Sequence, residues 1–182
     1  DLLYPSYGDT YPTYNGAIGM TYEQGGIGAG RAVLLRNGDT LTLRDRVAHH
    51  ATSALATIET TSLHTRELNQ NFAAFFQKSR SNPPGKYKTY IVKGTNPTAR
   101  IQALCELLDR NHILYGRAGK SAGLTAYNYQ NGQTIALKVE PGDLIISAHQ
   151  PRGVMTHVLL DPEALLVDSA TYDITSWSLP YA

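Results

Sequence analysis

The run Ser81-Asn82-Pro83-Pro84-Gly85 constrains this chain more than any other stretch in it. Proline has no backbone N–H to give a helix and its ring collides with the preceding turn, so two in succession end whatever helix reaches them; the glycine behind them releases the chain in a new direction. The hydrophobic pattern changes at the same place. Before it, Val47, Ala51, Ala54, Leu55 and Ile58, then Leu68, Phe72, Phe75 and Phe76, recur at the three- and four-residue spacing of a helix face. After it, short apolar runs alternate with turn residues. The chain is therefore expected to divide into residues 1–80, a linker at 81–86 and residues 87–182.

The helix ahead of the linker has a defined start. Thr42-Leu43-Arg44-Asp45 sets a hydroxyl at the N-cap and a carboxylate three residues later, the arrangement of a capping box. The helix is expected to run to about Arg80, with a kink or break where threonines and serines crowd residues 57–62. Upstream, a short apolar run at 32–35 meets the Asn37-Gly38 turn. The glycines of residues 25–30 lack the Gly-Lys-Ser/Thr ending of a phosphate cradle and no helix begins at Arg31, so they read as a flexible loop.

Beyond the linker, residues 87–92 alternate as a strand, and Asn96-Pro97 supplies a cap and a first-turn proline for a helix ending near Asn111. Residues 113–116 form a second short strand. Residues 127–139, turning at Asn131-Gly132, carry the strongest hairpin signal, with Ile135, Leu137 and Val139 on one face. Pro141-Gly142-Asp143 turns into Leu144-Ile145-Ile146, the run of a covered strand, and residues 151–160 are the last helix. Strand, helix, strand, hairpin, strand, helix predicts a small α/β domain with a mixed sheet.

Composition narrows the function classes. A hydrophobic share of 42% over 182 residues can build one ordinary domain or two small ones. The net charge of +1 comes with no basic stripe, which argues against nucleic acid; Lys86-Tyr87-Lys88 reads as a solvated strand edge. No apolar run approaches the ~20 residues of a membrane span. The one cysteine, Cys105, sits in the stripe Ile101, Ala103, Leu104, Leu107 and Leu108, so it reads as a buried, inert thiol, and no disulfide can form within the chain.

The chemistry concentrates near the start. Gly19-Met20-Thr21-Tyr22-Glu23-Gln24 closes a stretch of small and apolar residues from position 16 that reads as a strand, and it holds one carboxylate. An unpaired carboxylate in an apolar setting costs several kcal/mol or shifts its pKa, at roughly 1.4 kcal/mol per unit, so Glu23 calls for a role. The tyrosine-, proline- and glycine-rich residues 4–18 lead into it as a turn-rich loop, a setting suited to ligand contact.

Tyr7-Gly8-Asp9-Thr10-Tyr11-Pro12 followed by Gly19-Met20-Thr21-Tyr22-Glu23-Gln24 resembles the C-terminal part of zinc carboxypeptidases of the carboxypeptidase A type, in their bacterial branch. The resemblance implies that Glu23 is the catalytic general base and acid, and that the tyrosine closing over substrate is Tyr7, with Tyr4 as the competing choice. It implies an α/β fold: the end of a carboxypeptidase mixed sheet, a long helix resembling the family's last helix, then a small α/β accessory domain. Asp168-Ser169-Ala170-Thr171-Tyr172-Asp173-Ile174-Thr175-Ser176-Trp177-Ser178-Leu179-Pro180 resembles the segment leading out of that accessory domain. Zinc is implied for the complete enzyme, with its His-x-x-Glu motif, distant His and carboxylate-binding Arg all N-terminal to Glu23 and so outside this chain. The chain is then expected to be a piece of a longer, secreted or periplasmic and envelope-associated protein, whose partners are a peptide substrate and the remainder of the peptidase domain. The alternative is a non-catalytic binding or scaffold segment of a larger bacterial envelope protein.

Other histidines are weighed against this reading. His64-Thr65-Arg66-Glu67 places both side chains on one helix face, but it follows Glu23, the wrong order for the family, and reads as solvated helix surface. His49 and His50 point about 100° apart on a helix and do not face one ion together. His149 and His157 flank Pro151-Arg152-Gly153 without an acidic or thiol partner at metal spacing, and His157 reads as helix surface. The C-terminal domain is expected to pack or to position substrate.

Overall fold

The computed structural model describes residue 5, residues 8–23 and residues 30–163. Along them run α1 (Thr10–Tyr14), β1 (Ala32–Leu34), β2 (Thr40–Thr42), α2 (Leu43–Leu63), α3 (Thr65–Ser81), β3 (Thr89–Val92), α4 (Thr98–Arg110), β4 (Gly116–Arg117), β5 (Ala122–Asn128), β6 (Gln133–Val139), β7 (Leu144–Ser147) and α5 (Gly153–Leu160). The described residues fall into two compact units, divided between Gly19 and Met20 and again between Phe72 and Ala73.

The larger unit is built on β7. Along this strand burial alternates, so Leu144 and Ile146 turn inward, where they meet Tyr90 of β3, Leu108 of α4, Ile113, Ala148 and Met155, Leu159 and Leu160 of α5. β7 lies between β3 and β4 and runs antiparallel to both, pairing Tyr90 with Ile146 and Gly116 with Ile145. The mixed sheet expected from the element order is therefore not formed: the three small sheets among the described residues are all antiparallel. The α4 crossover does leave β3 and β4 parallel to one another, but β7 fills the place between them. The hairpin β5–β6 forms a separate sheet, with Leu124 opposite Leu137 and Ala122 opposite the buried Val139. Tyr87 stacks on Tyr127 at 5.4 Å between centroids, and the Tyr129 hydroxyl donates to the Leu160 carbonyl at 2.6 Å, holding the hairpin to the core.

Residues 81–86 are not a free linker. Pro83 is fully buried, and the Lys88 ammonium donates to the carbonyls of Pro83 and Gly85 at 2.5 and 2.6 Å. Just before them, the buried Ser79 hydroxyl donates to the Gln150 carbonyl at 3.1 Å and accepts the Val154 N–H at 3.2 Å, satisfying a donor of the first turn of α5. A Cβ on Gly153 would lie 2.8 Å from that hydroxyl, so a glycine is needed there. Two prolines end the helix as the sequence predicts, but the segment they terminate is packed, and the boundary between compact units falls earlier, inside α3.

In the smaller unit β1 and β2 pair through the Asn37-Gly38 turn, where Gly38 takes a φ of 92°. The capping box forms as predicted. The Thr42 hydroxyl accepts the Asp45 N–H at 3.2 Å while the Asp45 carboxylate accepts the Thr42 N–H at 3.0 Å. Hydrogen bonds from Thr42 hold the Asp45 carboxyl below its ordinary range, so this contribution is present at neutral pH and is lost as acid protonates the group. The long helix breaks at His64, the C-cap of α2, just past the weak Ser/Thr stretch. Replacing Thr42 with Ala is expected to cost about 0.5–2 kcal/mol of α2 stability. Helical ellipticity through a urea titration checks it, and an unchanged midpoint would show that the cap does not hold the helix.

Candidate functional site

Within the tyrosine-rich approach, α1 forms a single helical turn. In α1 the Thr13 hydroxyl donates to the Asp9 carbonyl at 2.8 Å, and Asn15 closes the turn by donating its amide to the Tyr11 carbonyl, also at 2.8 Å. Gly16, at a φ of 85°, then reverses the chain, a conformation that suits glycine. The returning backbone passes so close that a Cβ on Gly19 would sit 1.7 Å from the Asp9 carbonyl oxygen and 2.7 Å from the Thr13 hydroxyl. The glycine that opens the Gly19–Gln24 motif is thus fixed by contact with the aspartate of the Tyr7-Gly8-Asp9 motif.

Residues 16–23 do not form the expected strand. Their small and apolar character reflects the turn out of α1 and the close pass at Gly19, and Ile18, Met20 and Tyr22 are each about half exposed or more. Glu23 is exposed, not set in an apolar strand, so the desolvation premise for its role does not hold. Its neighbour Tyr22 is anchored: the hydroxyl shares a hydrogen bond of 2.7 Å with Thr57 Oγ1 and lies 2.8 Å from the Met20 sulfur. Through Tyr22 the chain entering Glu23 is held to α2. Tyr7, its competitor Tyr4 and the motif at 168–180 lie outside the described residues.

The histidines separate clearly. His64 Nδ1 and the Glu67 carboxylate are 3.3 Å apart with side chains 57% and 67% exposed, a solvated i, i+3 pair as the sequence reading expects. Among the described residues no three His, Cys, Asp or Glu side chains gather closely enough to hold a metal ion. His149 is exposed and its Nδ1 lies 3.1 Å from the Arg80 carbonyl. His157, expected on a helix surface, is instead half-buried, 2.8 Å from Asp161, with Gly85 packed so tightly on its ring that a Cβ there would come within 2.3 Å of Nδ1. The sequence reading missed this acidic partner because it searched for metal spacing rather than for the i, i+4 pairing of a helix end. The nearby Tyr90 hydroxyl is buried; burial, with the Asp161 charge in support, pushes its pKa up. Cys105 is half-buried against the core, on the predicted stripe of α4.

No helix among the described residues is long and apolar enough to cross a membrane. Compared with protein-family models, with curated proteins and with solved structures, the chain matches none.

Proposed function

We propose that this chain is part of a zinc-dependent metallocarboxypeptidase that hydrolyses peptide bonds at substrate C-termini, with Glu23 as its general base and acid and Tyr7 binding substrate. The observation that carries this reading is the close pass of Gly19 on the Asp9 backbone carbonyl, which only glycine permits. One residue from each of two stretches that resemble one family thus meet in the fold. The solvent-exposed Glu23, its chain held through Tyr22 to Thr57, is free to take a proton from an attacking water and return it to a leaving amine. Among the described residues no three ligands come together, and on this reading the metal ligands belong to the rest of the peptidase domain. The partners on this reading are a peptide substrate and the rest of the peptidase domain, and the setting is the periplasm, the cell envelope or the exterior.

The α2 face favours a second reading less strongly. Val47, Leu55 and Ile58 are 60%, 67% and 66% exposed, which suits either the missing part of a peptidase domain or a scaffold surface of a non-catalytic envelope protein. Elemental analysis decides between them. The complete protein is expected to retain about one zinc after dialysis, and the 182-residue chain none. Stoichiometric zinc held by the chain at His64 and Glu67 would overturn the placement of the metal, and a complete protein free of zinc would favour the scaffold.

A further inference from the structure

We infer that Asn37, in the turn between β1 and β2, is a site of self-modification: its side-chain amide is lost through a succinimide closed by the Gly38 backbone nitrogen, and the carboxylate that replaces it unfastens the turn ahead of α2. The chain holds three Asn-Gly pairs, at Asn15, Asn37 and Asn131. Glycine favours the ring closure because no Cβ shields the attacking nitrogen. At Gly38 no atom of the described residues stands within 4 Å of where a Cβ would be.

The fold ranks the three. Each glycine N–H is tied back, Gly16 to the Thr13 carbonyl at 3.2 Å, Gly38 to Leu35 at 3.0 Å and Gly132 to Asn128 at 2.9 Å, so attack starts from a locally opened turn and its rate follows how often that turn opens. Asn15 is clamped. Its amide nitrogen donates to the Tyr11 carbonyl at 2.8 Å, and its oxygen accepts from the Arg152 guanidinium, itself seated over the Phe76 ring. Asn131 closes a ladder of seven residue pairs that Tyr87 and Tyr129 fasten to the core. Asn37 is exposed and closes only three pairs in a sheet of two strands, which is marginal by itself. The ties of that sheet to α2, from the Arg46 guanidinium to the Gly30 carbonyl at 2.5 Å and from the Leu43 N–H to the Arg31 carbonyl at 2.6 Å, lie at its far end. The Asn37 turn is therefore the one that opens most often.

The Gly38 nitrogen attacks Asn37 Cγ; the new C–N bond forms, the Cγ–Nδ2 bond breaks, and the proton lost by the attacking nitrogen leaves with Nδ2 as ammonia. Water then adds across one C–N bond of the imide, giving aspartate or isoaspartate. Asp39 makes this product disruptive. The Asn37 amide donates to the Asp39 carboxylate at 2.6 Å, while its oxygen accepts the Asp39 N–H at 3.2 Å. A carboxylate at position 37 keeps the acceptor, loses the donor and sets two negative charges together. Opening the turn releases the Leu35 N–H from the Asp39 carbonyl, now at 2.7 Å, and β2 leads from there directly into Thr42, the N-cap of α2.

The test ages the complete protein in mildly alkaline buffer and follows amide-to-acid conversion by mass spectrometry of the tryptic peptides ending at Arg31, Arg44 and Lys138. Asn37 is expected to convert about fivefold faster or more than Asn15 and Asn131 in the folded protein, and within about threefold of them in urea. Conversion at Asn37 no faster than at the others, or a preference that persists undiminished in urea, overturns the site. Asn37→Asp is expected to quicken hydrogen exchange at the Leu35 and Gly38 amides about threefold or more, and adding Asp39→Asn to restore it, since an amide again faces a carboxylate. Exchange that ignores Asn37→Asp overturns the consequence for the turn, and the aged wild type tests the site without any variant.

Discussion

Glutamine in place of Glu23 in the complete protein is expected to lower kcat by about 10²-fold or more, the contribution of a general base and acid positioned in the transition state. The change is nearly isosteric. It preserves the exposed setting of residue 23 and leaves Tyr22 on Thr57, so a loss of rate cannot be laid to a collapsed segment. KM is expected to stay within a few-fold, because proton transfer is made in the transition state while peptide binding falls to other groups. Steady-state kinetics on a C-terminal peptide substrate decide the matter. Near-normal turnover by the variant would remove Glu23 from the chemistry.

Asp143→Ala is expected to be the most damaging single change to the larger unit. This carboxylate is 2% exposed and accepts three donors: the Gly94 N–H at 2.8 Å, the Glu140 N–H at 2.8 Å and the Lys93 ammonium. It joins the end of β3, the exit from β6 and the start of β7. Alanine leaves the two backbone donors without their acceptor, at about 1–3 kcal/mol for each that water cannot reach. Burial pushes the Asp143 carboxyl up, but the hydrogen bonds from Gly94, Lys93 and Glu140 outweigh it and hold the pKa below its ordinary value of 3.8. The contribution is therefore complete above that value and is lost as pH falls through the lower native one. Lys93 is raised above its ordinary 10.5, first by its hydrogen bond to Asp143, so its share is lost as pH climbs through that raised value. Wild type is expected to be most stable relative to Asp143→Ala between these limits, measured by urea unfolding across pH. A difference below about 0.5 kcal/mol at neutral pH would show that solvent replaces the carboxylate.

What was legible in the sequence was mostly local. The capping box at Thr42 and Asp45, the turns at Gly38 and Asn131-Gly132, the α4 helix and the strand through Leu144 and Ile146 each rest on interactions within a few residues, and each formed. The β5–β6 hairpin formed too, although β5 is displaced toward the N-terminus, ending at Asn128 instead of reaching Gln130. Illegible features depend on partners far along the chain. Nothing near Pro83 announces that Ser79 and Gln150 will fasten that region into the larger unit, and nothing near Asn15 announces Arg152. The assignment of residues 16–23 to a strand failed for a related reason: small residues suit a strand, but here they serve a close backbone pass at Gly19 whose partner, Asp9, is visible only in three dimensions. Glu23 and Tyr7 were singled out by motif, and of the two only Glu23 is among the described residues.

The central place of β7 also dictates an order of events during synthesis. The β5–β6 hairpin can close within about 1–10 μs of its residues becoming available, because its partners are adjacent. β3 has no such neighbour: its register with β7 joins Tyr90 to Ile146, so on a chain made from its N-terminus β3 waits with an unsatisfied edge until β7 has left the ribosome. At some 5–20 residues per second that interval lasts seconds, far longer than the hairpin needs. During it, Tyr90, Ile91 and Val92 form a short apolar edge open to pairing with other nascent chains. The lysines at 86, 88 and 93 bracket that edge with positive charge, and repulsion between copies of this segment guards it until its partner strand arrives.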